Sequence, residues 1–141
     1  MIDELNKYQT NGHFFFSSGE PLGKACNAPK DESGVYVIYA LAHGKIELIY
    51  AGSSGRMKPN GNISHRKGGL YDRIVNGKQF NLSRKESWPK KMIEEDIEAL
   101  DIYWFVTFNE EFRDIPAYVE AEVLQMHYDI FGTLPRWNEA F

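Results

Sequence analysis

The sequence predicts an α+β fold in which a small antiparallel sheet of about three strands is flanked by helices. Three apolar runs are rich in the β-branched and aromatic residues that are typical of strands. These runs cover residues 34–41, 46–52 and 101–108. Other segments place apolar residues at helical spacing between capping or helix-ending residues. With 141 residues, 43% of them apolar, the chain is long enough for one domain with a hydrophobic core.

The first 33 residues are expected to form an N-terminal extension to a domain of residues 34–141. The segment from Ile2 to Tyr8 is a candidate short helix, and residues 17–33 have the composition of a loop. The aromatic run His13-Phe14-Phe15-Phe16 is too apolar to lie free. We expect it either to dock on the core as a short extended piece or to form a dimer contact.

The first two strands form a predicted hairpin that contains two tyrosines. A three-residue loop at 42–44 would end with a glycine in the left-handed region, which favours this loop type. It pairs Leu41 with Lys45 and places Tyr36 opposite Tyr50 on one face. A two-residue turn would shift the pairing by one and put the tyrosines on opposite faces. We favour the longer loop because histidine followed by glycine is a poor pair for a type I′ turn.

The charge of the chain is unevenly distributed. The net charge is −4, but residues 56–91 hold ten basic residues against two acidic ones, which makes +8 there and −12 elsewhere. Such segregation is typical of a phosphate-binding face, although a solvated polar segment has the same composition. The glycine-rich loop 53–69 lies in this region. The candidate nucleic-acid-binding residues are Arg56, Lys58, His65, Arg66, Lys67 and Lys78.

Two helices and a strand follow the basic loop. The helix at 70–75 is expected to turn Leu70 and Ile74 into the core, with Arg73 at the edge of that face. A second helix is expected from an N-cap at Ser87, with Pro89 in its first turn, to about residue 99. Its expected buried stripe is Met92, Ile93 and Ile97. The strand at 101–108 is the expected third strand of the sheet.

The last helix is predicted from an Asp114 cap to just before Gly132, with Pro116 early in it. Its apolar face is expected to centre on Val119, Val123, Met126 and Ile130. Glu122 lies on the opposite, solvated face.

Glu120 lies on the flank of the apolar face of that helix. A carboxylate near the core must be paired, protonated or bound to a cation. From its position alone, Glu120 could form a buried salt bridge to Arg73 or bind a cation. His127 shares this face and is expected to be a satisfied core residue. The single cysteine, Cys26, excludes an internal disulfide, and we expect a packed thiol.

Five short motifs occur in order along residues 33–138. They are Gly34-Val35-Tyr36, Tyr50-Ala51-Gly52, Leu70-x-x-Arg73-Ile74, Glu120-x-x-Val123-Leu124 and Pro135-x-x-Asn138. Together they resemble the GIY-YIG nuclease domain. The chain departs from that pattern at Ala51, where a branched residue is usual, and at 76–78, where a histidine is often found.

The resemblance implies that Tyr36, Tyr50, Arg73 and Glu120 form one catalytic site, with Glu120 holding Mg²⁺ or Mn²⁺. It implies a divalent-metal-dependent endonuclease that hydrolyses DNA and is restriction-like. Cutting both strands of a duplex would need a homodimer or two visits by one site. A non-catalytic nucleic-acid-binding domain of the same fold and a protein-interaction domain are the alternatives. No apolar run is long enough to cross a membrane and no signal pattern is seen, so we expect a cytoplasmic protein.

Overall fold

The structure is a computed structural model that describes residues 2–139, apart from the side chain of Ile2. The helices are α1 (Ile2–Leu5), α2 (Leu22–Ala25), α3 (Gly69–Asn76), α4 (Arg84–Glu94) and α5 (Pro116–Phe131). The longer strands are β1 (Asn11–Phe16), β2 (Ser33–Ala42), β3 (Lys45–Ser54) and β8 (Ala99–Phe108). Two-residue strands form β4 (Arg56–Met57), β5 (Ile63–Ser64), β6 (Lys78–Gln79) and β7 (Leu82–Ser83). None of the described helices has the length and apolar character that crossing a membrane requires.

The α+β fold is confirmed, but the main sheet has four strands rather than about three. Its order is β1-β8-β2-β3, and every neighbouring pair is antiparallel. The additional strand, β1, comes from the aromatic run near the N-terminus. Phe14 and Phe16 are buried in the core, whereas Phe15 on the other face is 53% exposed. The aromatic run therefore lies within the sheet, at the edge opposite β3.

Each face of the sheet is covered, because side chains alternate between the two faces along every strand. Tyr36 and Ile38 of β2 pack with α3 and α4 in a core that includes Ile74 and Met92. Neighbouring positions of β2 pack on the other face against α5 and residues of the N-terminal segment. Residues of that second core include Val35, Val37, Val119, Val123 and Tyr8.

The hairpin register differs from the one that we favoured. His43 and Gly44 form a two-residue turn with φ values of 53° and 72°, so Ala42 pairs with Lys45. The preference for a three-residue loop was therefore wrong. A β-bulge follows at Ile49 of β3, opposite the step from Ile38 to Tyr39 of β2, and it moves the register by one residue.

The bulge restores both tyrosines to one face in spite of the shorter turn. Beyond it, Tyr36 pairs with Gly52, and Tyr50 pairs with Ile38. Tyr36 and Tyr50 are therefore diagonal neighbours rather than directly opposed residues. The two-residue turn alone would have separated them, and the inserted residue, Ile49, is completely buried.

Three other local predictions need correction. Residues 53–69 are not all loop, because β4 and β5 form a small hairpin within them. Helix α4 begins three residues before Ser87, so Pro89 lies inside it rather than in its first turn. Ile93 is 72% exposed, whereas Met92 is buried as expected. Because α4 begins at Arg84, this residue belongs to the helix and lies on its buried side.

The last helix ends at Phe131, just before Gly132 as predicted, but its N-cap and part of its buried face differ from the prediction. Asp114 does not cap it; its carboxylate accepts a hydrogen bond of 2.6 Å from the Tyr8 hydroxyl. Ile130, which was expected at the centre of the buried face, is 65% exposed. His127 is buried and its Nδ1 contacts the Thr133 carbonyl oxygen at 2.6 Å, as expected of a satisfied core histidine.

Candidate active site

Tyr36 and Tyr50 lie side by side at the β3 edge of the sheet. Their ring centroids are 6.0 Å apart. Gly52 makes this arrangement possible, because a Cβ there would lie 2.6 Å from the Tyr36 hydroxyl and 2.9 Å from Cε2 of Tyr50. The Tyr36 side chain is completely buried, and its hydroxyl has no hydrogen-bond partner among residues 2–139. Tyr50 is half-buried and lines a groove.

Arg73 projects from the last turn of α3 toward the two phenols. Its side chain is half-buried. The Tyr36 hydroxyl is the main cause of a raised pKa of the Arg73 guanidinium, against the opposing effect of burial, and Tyr50 and Glu120 add to the rise. The guanidinium therefore lies within electrostatic reach of all three other predicted site residues.

Glu120 approaches from α5, on the other face of the sheet. Its Oε1 accepts a hydrogen bond of 2.6 Å from the Ser53 hydroxyl. Burial raises the pKa of Glu120, and the Ser53 hydrogen bond and the charge of Arg73 oppose that rise. Within the described residues, Glu120 and Arg73 form no direct ion pair. The structure thus does not contain the buried salt bridge that was the alternative interpretation of Glu120.

The site lies beside β3, which is an edge strand of the sheet. The phenols come from one face of the sheet, and Glu120 reaches this edge from the other face through its hydrogen bond to Ser53 of β3. The side chain of Asn138 closes the edge by accepting from the Ala51 amide at 3.1 Å and donating to the Ala51 carbonyl at 3.0 Å. The Trp137 amide donates to the Ile49 carbonyl at 2.8 Å. Asn138 thus satisfies backbone groups that an edge strand would leave unpaired.

Sequence reasoning missed Arg84, which we had counted only among the basic residues of the segment 56–91. Its side chain is completely buried. Its guanidinium carbon lies 5.3 Å from the ring centroid of Tyr36 and 5.5 Å from that of Tyr50. The only available signal was its spacing of four residues from Trp88, which places both residues on one helical face.

Two grooves flank this cluster, and they differ in chemistry. The first, of about 450 Å³, is lined by Arg73 together with Ser53, Ser54, Gly55, Arg56, Ser64, His65 and Arg66. The second, of about 570 Å³, is lined by Tyr50 and Glu120 together with Lys78, Gln79, Phe80, Asn81, Trp137, Asn138 and Glu139. The first groove is cationic, and the second is rich in amide side chains.

The structure brings four of the six predicted nucleic-acid-binding residues to these grooves. Arg56, His65 and Arg66 line the cationic groove, and Lys78 lines the other. Lys58 and Lys67 are exposed but line neither groove.

Internal contacts order part of the cationic groove. Arg66 pairs with Asp72 at 2.6 Å, and Nδ1 of His65 lies 2.6 Å from the Ser33 hydroxyl. Hydrogen bonds from Asn76 and Arg66 hold the pKa of Asp72 below its usual value.

A larger cleft, of about 950 Å³, lies elsewhere, between the β2–β3 hairpin and the end of α5. None of the four predicted site residues lines it. Its wall includes the exposed apolar side chains of Ile46, Ile130 and Phe131. The largest of these three cavities therefore contains none of the predicted site residues, and the two smaller grooves contain Tyr50, Arg73 and Glu120.

The metal-binding capacity of the site rests on one well-placed carboxylate. No cluster of three or more histidine, cysteine, aspartate or glutamate side chains suited to a metal occurs within residues 3–139. The Ser53 hydrogen bond engages Oε1 of Glu120, and no protein hydrogen bond engages its Oε2 among these residues. Mg²⁺ commonly keeps several waters and binds through one or two carboxylates plus substrate phosphate. The donor set present therefore fits Mg²⁺ in the presence of a phosphate ligand.

Comparison of the chain with protein-family models, with curated proteins and with solved structures finds no match.

Proposed function

We propose that this protein is a Mg²⁺-dependent endonuclease that hydrolyses phosphodiester bonds in DNA. One observation supports the proposal above all others. Tyr36, Tyr50, Arg73 and Glu120 come from four different elements, and they lie close enough together that the pKa values of Tyr50, Arg73 and Glu120 each respond to other members of the set. A cationic groove begins at Arg73, as a phosphate-binding path beside such a site requires.

Phosphodiester hydrolysis requires an activated water, charge compensation on the non-bridging oxygens and stabilisation of the leaving oxygen. Arg73 has the forked donors that bind a phosphate in a fixed orientation. Burial strengthens its electrostatic effect, because the surrounding medium is less polar than water. Arg73 is therefore assigned to the scissile phosphate.

Glu120 is assigned to the metal. The hydrogen bond from Ser53 fixes Oε1 and orients Oε2 as the free acceptor. When bound, Mg²⁺ supplies positive charge to the phosphate and to the leaving oxygen. The protonated form of Glu120 would not hold the ion, so its raised pKa makes metal binding fail earlier on acidification than at an exposed glutamate.

The two phenols have different access to the reacting water. Tyr50 lines the groove beside Glu120, whereas the Tyr36 hydroxyl is completely enclosed. Tyr50 is therefore the phenol that orients the water. Burial raises its pKa above the ordinary value of 10.0, so it is protonated in the resting site. Arg84 and Arg73 act in the opposite direction, so negative charge that develops on this oxygen is stabilised.

A second candidate function is nucleic-acid binding without cleavage. One observation favours it, namely that Glu120 is not part of any larger acidic cluster within residues 3–139. Both functions use the cationic groove, so both predict DNA binding that weakens steeply with salt. Only the nuclease predicts that the DNA is cleaved and that cleavage requires both the metal and Glu120.

The test is cleavage of supercoiled plasmid and of long genomic DNA, which contains many candidate sites, in Mg²⁺ or Mn²⁺. The wild type should nick or linearise the DNA, and EDTA should stop it. Glu120→Gln and Arg73→Ala should each slow cleavage by about 100-fold or more. Glu122→Gln, an exposed position on the same helix, is the control and should cleave like the wild type.

Intact DNA in every wild-type reaction would overturn the nuclease proposal. Salt-dependent binding in those same samples would then support the second candidate function. If the protein does not bind DNA at all, both functions are excluded, and a protein-interaction domain is the alternative that stays.

A further inference from the structure

Arg84 is a buried cation without a balancing carboxylate. Its side chain is 0% exposed, and no acidic group within the described residues forms an ion pair with it. Removing a charge from water is costly unless a partner of opposite charge compensates. A hydrocarbon side chain of the same length would occupy this position at lower cost. We therefore expect the Arg84 guanidinium to have a function other than filling space in the core.

Both ends of the Arg84 guanidinium contact groups of the proposed catalytic site. One terminal nitrogen donates to the Arg73 carbonyl at 2.9 Å, and the other donates to the Tyr50 hydroxyl at 3.4 Å. Nε has no partner. The guanidinium also lies 5.1 Å from the ring of Trp88, which forms the back of its pocket. One rigid, planar group thus bridges the Arg73 backbone and a phenol from a different element.

The absence of a side chain at Gly77 leaves the space that the Arg84 guanidinium occupies. A Cβ at Gly77 would lie 2.5 Å from the Arg73 carbonyl oxygen and 3.1 Å from the terminal nitrogen of Arg84 that binds it. The backbone amide of Arg84 also donates to the Gly77 carbonyl at 3.0 Å. The end of α3 and the start of α4 are therefore built closely around this one side chain.

Arg84 also places positive charge behind both phenols. Its guanidinium carbon lies 5.3 Å from the Tyr36 ring and 5.5 Å from the Tyr50 ring. The buried Tyr36 hydroxyl forms no hydrogen bond within residues 2–139. Arg84 is thus the buried cation that lies beside both phenol rings and also donates to the Tyr50 hydroxyl.

We propose that Arg84 is a positioning residue that holds Tyr50 and the Arg73 segment in the geometry of catalysis and supplies charge from behind the phenols. This inference rests on the proposed function. Arg84 does not touch the substrate, so it acts on the rate of the chemical step and not on DNA binding. A purely structural cation would instead affect the stability of the fold.

The experiment compares Arg84→Met and Arg84→Lys with the wild type and with Lys45→Met, an exposed cation at the far end of the hairpin. Thermal unfolding, the Kd for a DNA duplex in Ca²⁺, and kcat and KM for cleavage in Mg²⁺ are measured. Arg84→Met should unfold at or above the wild-type temperature, because it removes an uncompensated buried charge. Its kcat should fall about 100-fold, while KM and Kd stay within about twofold.

The lysine variant separates charge from geometry. It keeps the cation but cannot make both hydrogen bonds, so its kcat should lie between those of the wild type and Arg84→Met. Lys45→Met should match the wild type in every measurement. Cleavage by folded Arg84→Met within threefold of the wild-type kcat would overturn the inference.

Loss of stability in Arg84→Met would also overturn it, provided that folded Arg84→Lys retains the full kcat. If Arg84→Met does not fold, the kcat of Arg84→Lys decides: a reduced kcat with unchanged KM supports the inference, and a full kcat refutes it. Absence of cleavage by the wild type is a separate result. It would refute the proposed function directly, and this inference with it.

Discussion

Replacing Gly52 by alanine tests whether the two phenols must lie as close as the structure shows. The φ of Gly52 lies outside the left-handed region, so alanine fits the backbone and any effect comes from the added methyl group. That methyl would lie 2.6 Å from the Tyr36 ring, whereas ordinary contact begins at 3.4 Å. The ring must therefore move by 0.8 Å, the difference between these distances.

A displacement of that size has two expected consequences. Overpacking of a core commonly costs about 1–3 kcal/mol of stability. A misplacement of about 1 Å at a catalytic site can cost about 100-fold in rate. Gly52→Ala should therefore unfold more readily in urea and cleave DNA about 100-fold more slowly than the wild type.

Gly19→Ala is the matched control, because a Cβ at Gly19 meets no atom within 4 Å and its backbone is not left-handed. Urea unfolding and plasmid cleavage are measured on the same preparations, and the cleavage assay contains no urea. Gly52→Ala that is as stable and as active as Gly19→Ala would show that the close packing of the phenols is irrelevant, and would refute this reasoning.

Three further predictions concern stability and DNA binding. Burial raises the pKa of Glu120, so its ionised form opposes folding; Glu120→Gln should therefore raise the melting temperature at pH 8, and the gain should shrink as the pH falls toward 4. In DNA-binding titrations, Arg56→Ala and Arg66→Ala should each reduce the slope of log K against log salt by about 0.9, whereas Lys45→Ala should not change it. Gly34→Ala should not yield folded protein by circular dichroism, because a Cβ there would overlap the carbonyl oxygen of Phe105.

Local composition predicted the elements of the fold better than their pairing. Their richness in β-branched and aromatic residues identified β2, β3 and β8, because each is a short apolar run bounded by turn residues. Strand β1 was not predicted as part of the sheet, because its partner in β8 lies about ninety residues later and no local signal links them. Its aromatic residues indicated burial, but not where in the sheet they would lie.

In the β2–β3 hairpin, the predicted face of the two tyrosines was correct, but the predicted turn was wrong. We expected both tyrosines on one face from a three-residue loop, and the structure has a two-residue turn with a bulge. The bulge inserts Ile49, which is completely buried. Turn rules consider only the residues of the loop, whereas a bulge is selected by packing further along the strands.

Arg84 shows the limit of reading charge from sequence. It lies among basic residues that are mostly exposed, and in that context a buried role has no sequence signal. The wrong start of α4 also hid the role of Arg84. Placing the N-cap at Ser87 left Arg84 outside the helix, so its position on the buried face was not apparent. Ser53, which binds Glu120, was likewise assigned only to the loop.

The most direct test of one shared catalytic site is a double-variant cycle of cleavage rates with Arg73→Ala and Glu120→Gln. Residues that act as a unit lose nearly all of the effect when either is removed. The double variant should therefore cleave DNA no more than a few-fold more slowly than the slower single variant. Losses that multiply, so that each residue contributes regardless of the other, would contradict the shared site.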